Sequence, residues 1–147
     1  MRSKKLFIVE DDANILYGLE SQFTAADIDV EVSEADEEIE ELISEIKDFN
    51  PDYIVLDLIL PKMDGFEVVK RIKGDEELSE KEIFIFTDLS DEDSRGRSLE
   101  LGADYIFFKD EFDTFEFAEK VIKIISNKEK RVSSEDEDED EDRDYAE

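Results

Sequence analysis

The most constraining feature of the sequence is an apolar run from Tyr53 to Pro61 that is broken by a single carboxylate, Asp57. Such a run, with Asn50-Pro51 before it, indicates a strand that is buried on both faces, as in parallel sheets covered by helices. An ionised carboxylate inside that core would be very costly. We therefore expect Asp57 at the carboxyl end of the strand, where open α/β sheets bind ligands. A turn-forming or helix-capping role fits this stretch equally well.

Short apolar segments alternate with amphipathic ones along the rest of the chain. The apolar segments predict four more strands, over residues 6–9, 30–32, 83–87 and 105–108. The helical spacing of apolar residues predicts a helix after each of the five strands. This alternation is the signature of an α/β fold in which a doubly wound parallel sheet has helices on both faces. The helix over 91–101 is the weakest, because Gly96 lies inside it and few apolar residues anchor it, so we expect it to be the most mobile.

The composition limits the functions that the chain can have. The formal net charge is −28, and residues 133–147 hold ten acids and one Arg, so −19 remains on residues 1–132. This charge disfavours nucleic acid as a direct partner. There is no Cys and no His, which excludes a zinc–thiolate site and a catalytic histidine on this chain. With no apolar run long enough for a membrane, we expect a cytoplasmic protein.

We expect one domain over residues 1–130 and an acidic, disordered tail over 131–147. Eight acids follow one another from Glu135 to Asp142, with nothing apolar to bury. A solvating tail is the simpler interpretation of this run, and a docking segment for a basic partner is the alternative.

Polar residues at the strand ends should gather along one edge of a parallel sheet. That edge would carry Glu10 and Asp11 after the first strand, Asp57 after the third, Thr87 on the fourth and Lys109 after the fifth. Three carboxylates close together need a cation, and a set of oxygen ligands selects a hard ion such as Mg²⁺. Together with a hydroxyl and a lysine, the cluster suits a phosphoryl group, which one of the carboxylates would attack.

A family resemblance lies in residues 8–12, 54–65 and 102–104, together with Thr87 and Lys109. These parts resemble the receiver domain of bacterial response regulators, and the resemblance extends over roughly residues 4–128. The resemblance implies a flavodoxin-like, five-stranded sheet of order 2-1-3-4-5. It implies that Asp57 accepts a phosphoryl group from a histidine kinase or a phosphotransfer protein.

The resemblance also assigns the other site residues. Asp11, Asp57 and the backbone carbonyl of Ile59 would bind Mg²⁺, with Glu10 helping through water, and Thr87 and Lys109 would contact the phosphoryl oxygens. The chain would not be an enzyme in the usual sense, because it would assist only its own phosphorylation and dephosphorylation.

Three positions depart from the family pattern and put the usual switching mechanism in doubt. Asp88 replaces a small residue after Thr87, Ile106 replaces an aromatic in the fifth strand, and Asp110 replaces the proline after Lys109. Proline lowers the cost of a cis peptide bond, so with Asp110 we predict a trans bond.

No output domain follows the resemblance, so we expect a stand-alone, chemotaxis-regulator-like receiver that signals through protein contacts, without nucleic acid or membrane. It would be a monomer or a weak dimer through the face of the fourth helix, fifth strand and fifth helix. The fifth helix has a core stripe that includes Phe115 and a second stripe of Phe117, Val121 and Ile124. The second stripe is either part of a broad core face or a partner surface.

Two other functions compete with the phosphoacceptor switch. A receiver-fold binding module that phosphorylation does not control would explain Asp88, Ile106 and Asp110. The second is a phosphatase with an aspartate nucleophile. Such enzymes resemble one another in having a second acid two residues after the nucleophile. Ile59 stands at that position, which disfavours the phosphatase.

Overall fold

A computed structural model describes residues 3–133, with side chains as far as residue 129. Five strands alternate with five helices. They are β1 (Lys5–Val9), α1 (Ala13–Ala25), β2 (Asp29–Ser33), α2 (Ile39–Phe49), β3 (Tyr53–Leu56), α3 (Gly65–Lys73), β4 (Glu82–Thr87), α4 (Glu92–Leu101), β5 (Tyr105–Phe108) and α5 (Thr114–Ser133).

The strands form one parallel sheet of order β2-β1-β3-β4-β5, which confirms the predicted fold class and strand order. Two apolar clusters fill the spaces between the sheet and its helices. On one face Phe7, Ile54 and Ile85 meet α2 and α3, and on the other face Ile8, Val55 and Phe86 meet α1 and α5. Because consecutive residues of a strand point to opposite faces, a strand that serves both clusters must be apolar throughout.

The ends of the helices follow from local sequence. Asp12, Asp64 and Asp91 are the N-caps of α1, α3 and α4, where each carboxylate accepts a hydrogen bond from a backbone N–H of the first turn. Gly102 ends α4 in the left-handed region, with φ of 112°, which glycine adopts readily. These caps fix where the loops at the carboxyl edge of the sheet end and the helices begin.

The fifth helix runs to Ser133, past the domain boundary expected at residue 130. The rest of the predicted tail, 134–147, lies outside the described residues. Within the described part of the chain, no helix is both long and apolar enough to span a bilayer.

The side chains of α5 correct one prediction. Phe115, which we placed on the core stripe, is 56% exposed. Phe117 and Val121 are fully buried, and the Phe117 ring stacks on Phe86 at a centroid distance of 4.1 Å. These two residues belong to the core face of α5, so the partner-surface interpretation fails for them.

Candidate functional site

The phosphoacceptor candidate, Asp57, lies directly after β3, which ends at Leu56. Its backbone N–H donates to the carbonyl of Val9 at 3.2 Å, which continues the β1–β3 pairing for one residue. Asp57 is 4% exposed, and its Oδ1 accepts a hydrogen bond from the backbone N–H of Ile59 at 3.0 Å. Asp57 is therefore at the predicted strand end, in a fixed orientation.

The loop after Asp57 is held against the start of α3. The Gly65 N–H donates to the carbonyl of Leu58 at 3.2 Å, and Ile59 and Asp64 form an antiparallel bridge. A Cβ atom on Gly65 would lie 2.4 Å from the Cα of Leu58 and 2.8 Å from the carbonyl oxygen of Asp57. Only glycine allows this approach without moving the backbone, so Gly65 fixes the path of the chain around Asp57.

Glu10 and Asp11 follow β1, the strand beside β3. Glu10 is 2% exposed, its N–H donates to the carbonyl of Ser33 at 3.1 Å, and its Oε2 accepts from the N–H of Asp12 at 3.1 Å. Asp11 is exposed. The third acid of this group, Asp12, is occupied as the N-cap of α1 through the N–H of Ile15.

Lys109 links the carboxylates. Its Nζ lies 2.8 Å from Oδ2 of Asp57 and 3.0 Å from Oε1 of Glu10. Burial alone would lower the pKa of Lys109, but the hydrogen bond to Asp57 and the charges of Asp57 and Glu10 raise it above its usual value. The ammonium group therefore keeps its charge at physiological pH, between the two carboxylates.

The pKa of Glu10 is raised from 4.5 to about 7. Burial is the largest cause, followed by the negative charge of Asp57, while the N–H of Asp12 and the charge of Lys109 act in the opposite direction. One ammonium group thus compensates the charge of this carboxylate pair only in part.

The remaining charge suits a metal ion. Glu10, Asp11 and Asp57 can each direct one carboxylate oxygen so that all three lie within 4.8 Å of one another. Such a set of hard oxygen donors fits Mg²⁺, with Asp11 open to solvent and two buried acids beneath it. The carbonyl of Ile59 as a further ligand stays a prediction.

Thr87 ends β4 and is fully buried. Its backbone carbonyl accepts from the N–H of Lys109 at 2.8 Å, so it is at the same edge of the sheet as the other site residues. Its Oγ1 accepts from the N–H of Leu89 at 3.3 Å, which leaves the hydroxyl proton for another acceptor. Asp88, the first departure from the family pattern, is exposed.

The structure also describes the two other departures from the family pattern, Asp110 and Ile106. The Lys109–Asp110 peptide bond is trans, as predicted, because no bond in residues 3–133 is cis. Ile106 packs with the cluster under α2 and α3, whereas Tyr105 packs on the other face and stacks on Phe84 at 4.6 Å.

The structure thus brings Glu10, Asp11, Asp57 and Lys109 together and places Thr87 beside them. Sequence reasoning missed the ion pair between Glu10 and Lys109, because it gave Glu10 only an indirect role toward the metal. The signal was present, since an acid directly after one parallel strand and a lysine directly after another lie along the same edge of the sheet.

Comparison with known proteins gives a consistent result. The model of the response regulator receiver domain family matches residues 6–122. The probable transcriptional regulator ycf27 of Porphyridium aerugineum is 33% identical over 134 residues, which cover 91% of this chain and 53% of that protein. The alkaline phosphatase synthesis transcriptional regulatory protein PhoP of Bacillus subtilis is 33% identical over 102 residues, which cover 69% of this chain and 40% of that protein.

Among solved structures, the response regulator DrrB of Thermotoga maritima, an OmpR/PhoB homolog, superposes with a TM-score of 0.71 at 25% identity. That match covers 86% of this chain and 54% of DrrB. The chain therefore spans about half the length, or less, of these relatives. It belongs to the response regulator receiver domain family, and the function that fits it is that of a phosphoacceptor switch in two-component signalling.

Proposed function

We propose that Asp57 is the phosphoacceptor of this switch. The observation that carries the proposal is the bridge formed by Lys109, whose Nζ lies within 3.0 Å of Glu10 and 2.8 Å of Asp57. A partly buried lysine held between two buried acids at a sheet edge is an arrangement for charge chemistry, since packing alone would favour apolar groups.

The donor is a phosphohistidine on another protein, because this chain has no His. A carboxylate oxygen of Asp57 attacks phosphorus while the bond from phosphorus to the imidazole nitrogen breaks, and that nitrogen keeps the electron pair. The Lys109 ammonium and the Thr87 hydroxyl donate hydrogen bonds to the phosphoryl oxygens, where negative charge is concentrated.

Mg²⁺ completes the proposed site. Glu10, Asp11 and Asp57, with the backbone carbonyl of Ile59, would hold it, and when bound it neutralises part of the charge on the phosphoryl oxygens. The hydrolysis of the resulting acyl phosphate, by which the chain resets itself, is part of the same proposal.

We further propose a cytoplasmic protein whose partners are a histidine kinase or phosphotransfer protein and a downstream protein. Direct contact with nucleic acid is disfavoured by the net charge of −28. The relatives named as transcriptional regulators are longer than the match, so the output of the whole protein is a separate question from the chemistry of this domain.

Intact mass spectrometry tests the proposal. Incubation with acetyl phosphate and Mg²⁺ should add one phosphoryl group to the parent chain, and chelation of the metal should prevent the gain. Asp57→Asn should abolish it, and Lys109→Met should reduce it strongly. Asp48→Asn, which removes the same charge from an exposed position on α2, is the matched control and should be labelled like the parent. Labelling of the Asp57 variant at the parental level would overturn the assignment.

A further inference from the structure

Helix α4 is held to the body of the protein by few buried side chains. Its one buried side chain is Ser98, Leu99 is 50% exposed, and a Cβ on Gly96 would meet nothing within 4 Å. Leu101, at the end of the helix, packs against the apolar cluster while only partly buried, and two arginines make further contacts with rings of the core. The Cζ of Arg97 lies 4.1 Å from the centroid of the Phe66 ring, and the Cζ of Arg95 lies 5.8 Å from that of Phe108.

The first ring belongs to the segment that positions Asp57. Phe66 directly follows Gly65, the residue that lies against the backbone of Asp57 and Leu58. Its own N–H donates to Oδ1 of Asp64, the N-cap of α3, at 2.9 Å. The Phe66 side chain is 7% exposed, so the Arg97 guanidinium covers a ring that is otherwise packed in the core.

The second ring belongs to the strand that positions the lysine. Phe108 directly precedes Lys109 and is 7% exposed. The backbone here is fixed, because the Lys109 N–H donates to the Thr87 carbonyl at 2.8 Å. Arg95 thus links α4 to the end of β5, which carries the ammonium group of Lys109.

We propose that Arg95 and Arg97 form a clamp that couples the position of α4 to the spacing of Asp57 and Lys109. The arginines act as positioning residues, since neither contacts the reacting groups and each acts through an aromatic ring. This inference rests on the proposed function, because it concerns the same phosphoacceptor and lysine.

A guanidinium over the face of an aromatic ring is attracted to it only weakly at an exposed site. The attraction corresponds to about a two- to five-fold change in an equilibrium constant. Weak contacts of this size can hold a helix with little apolar anchorage and can also be released. Coupling between two sites is reciprocal, so a clamp that orders the Asp57–Lys109 pair is itself strengthened or weakened by that pair.

The test compares Arg97→Met and the double variant R95M/R97M with the parent. Methionine keeps a long apolar side chain on the ring and removes the cation. Arg71→Met is the matched control, because it removes an arginine charge from α3 that pairs with Glu40 and touches neither ring. Arg97→Lys, which restores a cation over Phe66, should recover part of each effect.

Two readouts are measured on each chain. Hydrogen exchange in residues 92–101 should become about two- to five-fold faster for each arginine lost. The rate of Asp57 labelling by phosphoramidate with Mg²⁺ should fall at least about twofold in the double variant, because the two reacting segments are less well ordered. The Arg71 control should match the parent in both.

Two results would overturn the clamp. Unchanged exchange in α4 would show that the arginines do not hold the helix. Faster exchange with labelling equal to that of the Arg71 control would show that they hold it without any influence on the site.

A chain that takes up no phosphoryl group would contradict the proposed function and still leave the clamp testable in the reverse direction. Lys109→Met should alter exchange in α4 of the parent and have a smaller effect in R95M/R97M, because the clamp transmits it. Equal effects in the two backgrounds would mean that the clamp does not couple the regions.

Discussion

Helices α3 and α4 are neighbours that begin at the same edge of the sheet, each with an aspartate N-cap, and they are anchored in opposite ways. α3 buries five of its nine residues: Gly65, Phe66, Val68, Val69 and Ile72. α4 buries Ser98 alone among its ten. The first helix is part of the core, and the second lies against it.

This difference divides the functional edge into two halves. The carboxylates Glu10, Asp11 and Asp57 follow β1 and β3, and the loop after Asp57 is fixed through α3. Thr87 ends β4 and Lys109 directly follows β5, and the helix α4 that connects these strands is held at the surface. The half that would hold Mg²⁺ is therefore fixed through a core helix, whereas the helix beside the half that would contact phosphoryl oxygens is anchored by few buried side chains.

The largest expected contrast comes from removing one apolar side chain from each helix. Ile72→Ala, at a fully buried position in α3, should lower the free energy of unfolding by about 2–5 kcal/mol, because it leaves a cavity. Leu99→Ala in α4 should change it by less than about 0.5 kcal/mol, since that side chain is half exposed. Urea unfolding measures both. Similar losses at the two positions would show that α4 is as firmly anchored as α3.

Gly65 in α3 and Gly96 in α4 give the second contrast, with opposite signs. Gly65→Ala should destabilise the chain by about 1–3 kcal/mol, because a Cβ there would lie 2.4 Å from the Cα of Leu58. Gly96→Ala should stabilise it by about 0.5–1 kcal/mol, because the site is open and alanine favours the helix. Thermal unfolding of the two variants gives the signs directly. A loss of stability in the Gly96 variant would mean that α4 needs its flexibility to fold.

A third contrast concerns the pH dependence of Mg²⁺ binding at the carboxylates. With a pKa of about 7, Glu10 holds a proton in part of the molecules at neutral pH, and Mg²⁺ must displace it. Mg²⁺ affinity should therefore rise about tenfold from pH 6 to pH 8 and level off above. Calorimetric titration at several pH values measures this rise. Glu10→Gln should bind more weakly and lose this part of the pH dependence, and a parental affinity that stays flat from pH 6 to pH 8 would contradict the role of Glu10.

The raised pKa of Glu10 also determines how the stability of the fold changes with pH. Because the pKa of Glu10 is raised in the folded chain, its contribution to stability is fully present below its ordinary value of 4.5 and is lost as the pH rises through about 7. Mg²⁺ should restore stability at the higher pH, where the carboxylate is free to bind it.

Much of this arrangement could be predicted from the sequence, because the alternation of strands and helices forces the strand ends onto one edge. Asp57 and Lys109 each directly follow an apolar strand, so their meeting required only the order of the strands. The length of β3 was less predictable. The apolar run continues to Leu60, but the bridge between Ile59 and Asp64 turns residues 58–60 into a loop.

Other features depended on packing that no local pattern contains. Phe115 and Phe117 are both aromatic and both near the start of α5, and the stacking of Phe117 on Phe86 decides which of them is buried. The contacts of Arg95 and Arg97 were missed for a similar reason. Charged residues on a helix are normally read as a solvated face, and the rings that they cover come from distant parts of the chain.

The central claim, that Asp57 accepts a phosphoryl group, is tested most directly by locating the modification. Treatment of the phosphorylated chain with borohydride reduces an aspartyl phosphate to homoserine, which peptide mass spectrometry then identifies by position. We predict homoserine at position 57, dependent on both the phosphodonor and Mg²⁺, and absent from every other aspartate. Homoserine at another aspartate, such as Asp11, or none after donor and Mg²⁺ are supplied, would contradict the account.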